Sequence, residues 1–393
     1  MKRLTMITLA VLMCCTVTVQ AQRFAKYKVV SDSAFTTNKT YQKGNKYQRD
    51  AMVYMDLLAD THPFYINKVR RDSLMATQQA VLKACAKCKS DSVFTTILEG
   101  VLGPLHDKHS QVIDTARCAS VMAREAARER ADLKASAGRG GDVMSLRRTV
   151  FDFKVFPEHS ICYLQFNQCA DARTNNNPSL PRFDLTLDSM FAAIDSLGIK
   201  TLVVDAQYNT GGNSSLCDEL LIRLRPLSQL KIFGMSLRFS PLMAMYNPNI
   251  VEFQKNWESQ GHVGEMYSVS GGSMLDAVKN NPAFVQPKVF DGNVVFVQSH
   301  RTYSSAGMLM TLARDNHIGT IIGESSTFPP SHYGEILPFI LPNTGEAGTL
   351  CCKYFTRPDT ARNDDASLEP DVYLDLTDKG AVWTYIVNTY GKH

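Results

Sequence analysis

Past its first twenty-one residues, this sequence has no stretch approaching the roughly 18 uninterrupted apolar residues that a membrane-spanning helix needs. An integral membrane segment in the mature chain is therefore not expected. Charge of one sign is also scarce. A net charge of +4 over 393 residues points neither to nucleic acid nor to an anionic membrane surface. Internal repeats and low-complexity tracts are missing as well, which argues against a solenoid or a disordered scaffold. Metal-ligand spacing is poor. His106 and His109 lack a third ligand of obvious spacing, and Cys85-x-x-Cys88 sits in a helical pattern without a second pair. Neither a metal nor an organic cofactor is expected.

What is present is an ordinary globular composition, 44% apolar and 20% charged, in a chain long enough to bury a large core. The N-terminus has Lys2 and Arg3 before the apolar run MITLAVLMCC, then Val19-Gln20-Ala21 before Gln22. This is the pattern of a secretory signal peptide over residues 1–21. It predicts an exported protein, periplasmic or secreted, with Gln22 as its mature N-terminus. Met13 and Cys14 precede the signal's cysteines where lipidation would need a small residue. Eight cysteines remain outside the signal. Export permits disulfides, but their pairing is not legible from spacing.

Residues 22–47 read as polar and irregular. Helical patterns follow around AMVYMDLL, around LMATQQAVLKAC and over DSVFTTILEGVLGPL. In the last, Val93, Phe94, Ile97, Leu98, Val101 and Leu102 form one stripe behind a Ser90/Asp91 cap. Residues 117–135 read as a charged helix, and ASAGRGGD (135–142) as a linker. From about residue 146 the texture changes. Strand patterns (TVFDFKVF, SICYLQF, TLVVDAQ, VVFVQ, GTIIGE) alternate with helical ones (LTLDSMFAAIDSLG, SSLCDELLIRL, SAGMLMTLARDN). That alternation predicts an α/β core, at least partly parallel and covered on both faces. The expected organisation is a signal at 1–21, a helical N-terminal region with a charged linker at 22–145, and an α/β core at 146–393.

Three places carry chemistry. In TLVVDAQYNTGGNSS (201–215) a buried strand enters a turn with Gly211 and Gly212, whose consecutive N–H groups can face a developing oxyanion. RTYSSAGM (301–308) sets Ser304 and Ser305 at a strand-to-helix turn, where one of them either caps the helix or acts as a nucleophile. LHDKHS (105–110) offers Asp107 and His109 after a helix end. A serine nucleophile needs a base and oxyanion donors, and the chain supplies each at the end of an element.

The combination resembles the tail-specific (C-terminal processing) serine protease superfamily, which includes the tricorn protease core and interphotoreceptor retinoid-binding protein. The resemblance covers roughly residues 48 to 378. THPFYINK with its helices is similar to the family's helical N-terminal region, and LHDKHSQV to its Asp-x-His signature. LVVDAQYNTGGNS is similar to its glycine-rich oxyanion turn, and RTYSSAGM to its Thr-x-Ser nucleophile motif. GESSTFPPSHYGEILPFILPNTG and LEPDVYLDL resemble its later blocks. The resemblance implies a mixed-sheet α/β peptidase core. It assigns Ser304 as nucleophile, His109 as general base, and the N–H groups of Gly211, Gly212 and Ser305 as oxyanion hole. Asp364, Asp365 or Glu369 would orient the base, and an extended polypeptide would be the substrate.

The chain also departs from the pattern. Pro329 stands where the bacterial processing proteases carry the lysine of a Ser-Lys dyad, which leaves the histidine-based, tricorn-like branch. Gln207 replaces the usual arginine of the glycine-turn block, and Thr210 replaces a glycine. Residues 111–147 are too few and too charged for a PDZ module. The alternative function is a catalytically inactive protein that binds peptides or apolar ligands on the same fold, since members of this superfamily bind retinoids.

Overall fold

The computed structural model describes residues 27–113, 149–259, 266–270, 281–362 and 366–391. Residues 1–21, for which a signal peptide is expected, residues 117–142, for which a charged helix and a linker are expected, and Asp364 and Asp365 lie outside the described residues. So does nearly all of the segment on which the PDZ expectation rests. The chain divides into two compact units. The first comprises residues 1–124, 237–267 and 333–353, and the second residues 125–236, 268–332 and 354–393.

The first unit carries helices α1 (Lys39–Lys43), α2 (Lys46–Thr61), α3 (Lys68–Ala76), α4 (Gln78–Cys85) and α5 (Asp91–Leu102). The expectation of an irregular start is corrected from Lys39 onward. The Asn38 side chain accepts the N–H groups of Thr40 and Tyr41 and starts α1. Asn45 and Gln48 then form a reciprocal capping box that starts α2. The pattern around LMATQQAVLKAC is two helices that meet at Thr77. In α5 the buried stripe is Phe94, Thr95, Leu98 and Leu102, whereas Val93 is half exposed. The stripe is thus turned slightly from the one expected. Phe94 and Leu98 are wholly buried, each worth about 1.5–3 kcal/mol in apolar burial.

One six-stranded sheet has the order β1-β10-β11-β6-β7, with β2 also paired to β11. Its strands are β1 (Lys28–Val29), β2 (Gln111–Ile113), β6 (Gly234–Arg238), β7 (Met266–Ser270), β10 (His332–Ile340) and β11 (Ala347–Thr356). Two further helices, α8 (Pro241–Tyr246) and α9 (Ile250–Ser259), also belong to the first unit.

The second unit is built on a sheet of order β12-β9-β8-β5-β4-β3. Its strands are β3 (Phe151–Phe156), β4 (Ile161–Phe166), β5 (Thr201–Asp205), β8 (Asn293–Gln298), β9 (Thr320–Gly323) and β12 (Val372–Tyr373). Only β3 runs antiparallel to its neighbour; the other pairings are parallel. Alternation explains the two covered faces. Leu202, Val204, Val294 and Phe296 join one buried cluster, with Phe183, Leu187 and Met190 of α6 (Phe183–Leu197), Leu216 and Leu220 of α7 (Ser215–Leu221), and Leu309 of α10 (Ser305–Asp315). Val203, Val295 and Val297 point the other way and pack with Val382 and Ile386 of α11 (Lys379–Tyr390). The expected mixed α/β architecture is therefore present. β5, β8 and β9 all deliver their carboxyl ends to one edge, where open α/β sheets place ligand sites.

Candidate functional site

At that edge β5 runs into the residue 206–213 turn and β8 into the residue 299–304 loop. Asn209 joins the two. It is fully buried, its Nδ2 donates to Phe166 O (3.0 Å), and its backbone carbonyl accepts the Tyr303 N–H (3.0 Å). Thr302, also fully buried, donates its hydroxyl to Ala206 O (2.9 Å) and accepts the Ser299 N–H (2.9 Å). The Ser299 hydroxyl in turn donates to Gln207 O. These bonds hold the loop against the turn before the helix begins.

Ser304 then occupies the N-cap position of α10 with φ 52° and ψ −126°, and its side chain makes no capping bond. The simple capping role weighed from the sequence is excluded. Such a backbone costs about 1–3 kcal/mol in a non-glycine residue and persists only when its surroundings impose it. Strained strand-to-helix turns of this kind present a serine hydroxyl outward in hydrolases. The glycines make the approach possible. A Cβ on Gly211 would stand 2.7 Å from Ser304 Cβ and 3.0 Å from Ser305 N, and one on Gly212 would stand 2.2 Å from Cys169 O. Both glycines also have positive φ, 101° and 136°.

The three expected oxyanion donors are not equivalent. The Gly211 N–H is donated to Asn209 Oδ1 at 2.8 Å, which turns it away from the expected role. Gly212 N–H has no acceptor among the described residues, and Ser305 N–H is one of the unpaired donors that open any helix. The Ser305 hydroxyl is occupied, donating to Gly212 O at 2.7 Å.

Gln207, the residue in place of the family's arginine, donates its side-chain amide to Asp205 Oδ2 (2.8 Å) and its N–H to Oδ1 (3.0 Å). Tyr163 donates to the same carboxylate at 2.7 Å. Burial pushes the Asp205 carboxyl upward, and these three bonds only partly oppose it. Where Pro329 replaces the lysine, Phe328 packs on Tyr303 at 4.7 Å and closely covers Gly307 of α10.

Of the three expected acidic groups, only Glu369 is among the described residues. It is exposed, and bonds from the Ser325, Ser367 and Tyr373 hydroxyls pull its carboxyl down to about 2. Its backbone carbonyl accepts from Arg314 of α10 (2.9 Å), and Leu368 O accepts from Gln298 at the end of β8 (2.8 Å). Glu369 thus belongs to the carboxyl edge of the same sheet. His300, on the loop before Ser304, pairs with Glu324 Oε2 at 2.7 Å.

His109 lies in the first unit and is 8% exposed. Its loop is organised by Asp107, a role the sequence did not disclose. Asp107 Oδ1 accepts the His109 N–H (2.9 Å) and lies 3.7 Å from His109 Nδ1, while Oδ2 accepts the Ser110 N–H (3.1 Å). The Thr349 hydroxyl holds His109 O at 2.7 Å, and the Cys351 N–H holds the Ser110 hydroxyl at 3.1 Å. Fully buried His62 completes the group. Its Nδ1 accepts the Phe64 N–H, so Nε2 carries the proton and donates to Asp107 Oδ2 at 3.2 Å. Burial alone would raise the Asp107 carboxyl, but the bonds from His109, His62 and Ser110 outweigh it and hold it well below the carboxylate range. Burial also pushes His62 down, against the pull of Asp107, and keeps it neutral.

Ligand atoms of His62, Asp107 and Cys351 lie within 4.8 Å of one another. A metal would need the Nε2 lone pair of His62. Moving the proton to Nδ1 would set two donors, that N–H and the Phe64 N–H, against each other. The cluster fits a hydrogen-bonded group centred on one carboxylate better than a metal site.

An open surface pocket of about 820 Å³ lies elsewhere in the second unit, lined by residues including Phe151, Phe153, Arg182 and Leu185. It contains none of the candidate site residues.

Comparison with known proteins agrees with this architecture. The chain is similar in fold to mature CPAF (TM-score 0.58, 12% identity, covering 87% of this chain and 95% of that one). It is also similar to a putative peptidase from Parabacteroides merdae (0.52, 13%, 86% and 92%). A photosystem II D1 C-terminal processing protease aligns at a TM-score of 0.48, with 12% identity over 88% and 98% of the two chains. Among curated proteins no sequence matches this chain. Residues 160–374, which include the glycine turn, Ser304 and Glu369, match the family model of peptidase family S41. The chain belongs to peptidase family S41.

Proposed function

We propose that this chain is an exported serine peptidase in which Ser304 attacks the peptide carbonyl of an extended polypeptide. The observation that carries this reading is the Ser304 backbone. A non-glycine residue is held at φ 52° at the carboxyl edge of a parallel sheet, makes no capping bond, and is flanked by the unpaired N–H groups of Gly212 and Ser305. Those two donors would stabilise the tetrahedral oxyanion. Gly211 would act through its lack of a side chain, which admits Ser304.

His109 is proposed as the general base on its motif and on the way Asp107 fixes its backbone. Glu369 is the acidic group proposed to support the site; Asp364 and Asp365 remain alternatives for that role. Export is proposed on the signal-like N-terminus. No helix among the described residues is long and apolar enough to cross a membrane.

The second reading, an inactive ligand-binding protein, is favoured by Gln207. A neutral amide replaces a cation beside buried Asp205. Labelling with a fluorophosphonate probe separates the two. The peptidase is expected to label at Ser304 and to lose the label in Ser304→Ala but not in Ser305→Ala. A folded wild-type protein that neither labels nor cleaves peptides, yet binds them, would establish the second reading.

A further inference from the structure

Cys169 and Cys217 reach the glycine turn from two sides. Cys169 follows β4 and is laced into the turn, its N–H donating to Gly211 O (3.1 Å) and its carbonyl accepting the Asn213 N–H (2.7 Å). Cys217, in the first helical turn of α7, donates its thiol hydrogen to Ser305 O (3.4 Å). The two sulfurs are 3.6 Å apart, and each residue is 1% exposed. Other neighbouring cysteines do not join distant parts of the chain. Cys85 and Cys88 sit at one helix end, and Cys351 and Cys352 are consecutive in β11. Only about 1.5 Å of further approach separates the Cys169 and Cys217 sulfurs from the bonded distance near 2.05 Å.

We propose that Cys169 and Cys217 form a disulfide that clamps the residue 211–213 turn to α7, and that it forms while the chain folds. The co-reactant is a disulfide, RSSR, small or carried by an oxidoreductase. The thiolate of one cysteine attacks RSSR, forming a mixed disulfide and releasing RS⁻. The second thiolate attacks the protein sulfur of that mixed disulfide and releases the other RS⁻. Two thiols and RSSR become one protein disulfide and two RSH. Cys217 gives up its hydrogen bond to Ser305 O in the exchange.

Timing follows from burial. Once the turn has closed, no external disulfide or thiol reaches either sulfur. Contact with Cys169 and burial also hold the Cys217 thiol well above its usual range, so little thiolate forms in the folded chain. The state reached during folding is then retained, reduced or oxidised.

The test uses the full chain, unfolded and reduced, then refolded either in a glutathione redox buffer or in dithiothreitol. Free thiols are blocked under denaturing conditions, and the products are mapped by mass without reduction. The oxidised arm is expected to lose two hydrogens and to yield a peptide joining Cys169 to Cys217. That link should survive dithiothreitol under native conditions, and protein folded reduced should not acquire it from oxidised glutathione under native conditions. Amide exchange at Gly211–Asn213 should be slower in the linked form. Protein recovered already folded from an oxidising compartment provides the same map without refolding. The proposal is overturned if both thiols are blocked in the oxidised protein, if Cys169 is linked to a different cysteine, or if the bond exchanges freely in the native state. None of these readouts depends on hydrolysis, so the result stands apart from the peptidase assignment.

Discussion

The Ser304 turn and the Asp107–His109 loop hold their key residues by opposite means. Ser304 is set by backbone. Glycines at 211 and 212, with buried Asn209 and Thr302 tying the turn to the loop, surround one residue held at an unfavourable φ. His109 is set by side chains. One carboxylate, Asp107, gathers the N–H groups of His109 and Ser110 and the ring of His62, all in a buried place. A backbone device depends on the absence of atoms, so adding a methyl group should break it. A side-chain device depends on one charge, so removing that charge should break it.

The largest expected effect tests whether the two devices serve one reaction. Ser304→Ala and His109→Ala should each lower kcat/KM by several orders of magnitude, on the order of 10⁶ at most, and the double variant should be little worse than either. Additive losses in the steady-state kinetics would mean that His109 is not the base.

Next is Gly212→Ala. Its Cβ would meet Cys169 O at 2.2 Å, so the turn must shift and its N–H with it. Loss of one oxyanion donor costs about 10²–10³ in turnover. Unchanged kcat in a folded variant would remove Gly212 from the hole.

Asp107→Asn probes the other device. Leaving buried donors of this group unsatisfied should cost about 1–3 kcal/mol in denaturant unfolding, while fluorophosphonate labelling reports what survives at Ser304. The same loop gives a pH signature. His62 is depressed in the folded protein, so the unfolded chain binds its proton first, and stability should fall as pH drops below about 6.5. Asp107, also depressed, adds a further loss once pH falls below about 3.9. His62→Gln should flatten the first decline in melting temperature between neutral and mildly acidic pH. An unchanged slope would place the acid sensitivity elsewhere.

The smallest effect is a control lying in neither device. Asn45→Ala removes the capping box of α2 and should cost about 1 kcal/mol, without changing Ser304 labelling. A large loss of labelling would mean that activity tracks global stability and not the site.

Much of this was legible before the structure. The apolar runs of β4, β5 and β8 and their helical partners were readable because buried parallel strands and amphipathic helices leave periodic traces. The family blocks were readable because a close backbone approach demands small residues at set intervals, as in Gly211-Gly212 and Ser304-Ser305. The short helix at Lys39–Lys43 was not, because its start rests on one asparagine side chain.

What the sequence determined by itself was the α/β class and the two small-residue turns, since each depends on local periodicity or on residues adjacent in the chain. The choice of Ser304 over Ser305 came only from the family resemblance and is a proposal. Tertiary structure decided the long-range pairings. It spent the Gly211 N–H on Asn209, gave Asp107 to His62 from 45 residues away, and brought Cys217 to Cys169 from 48 residues away. Hydrogen bonds and sulfur contacts of that kind are formed between side chains far apart in sequence. No periodicity records them, and only the folded chain shows which donor meets which acceptor.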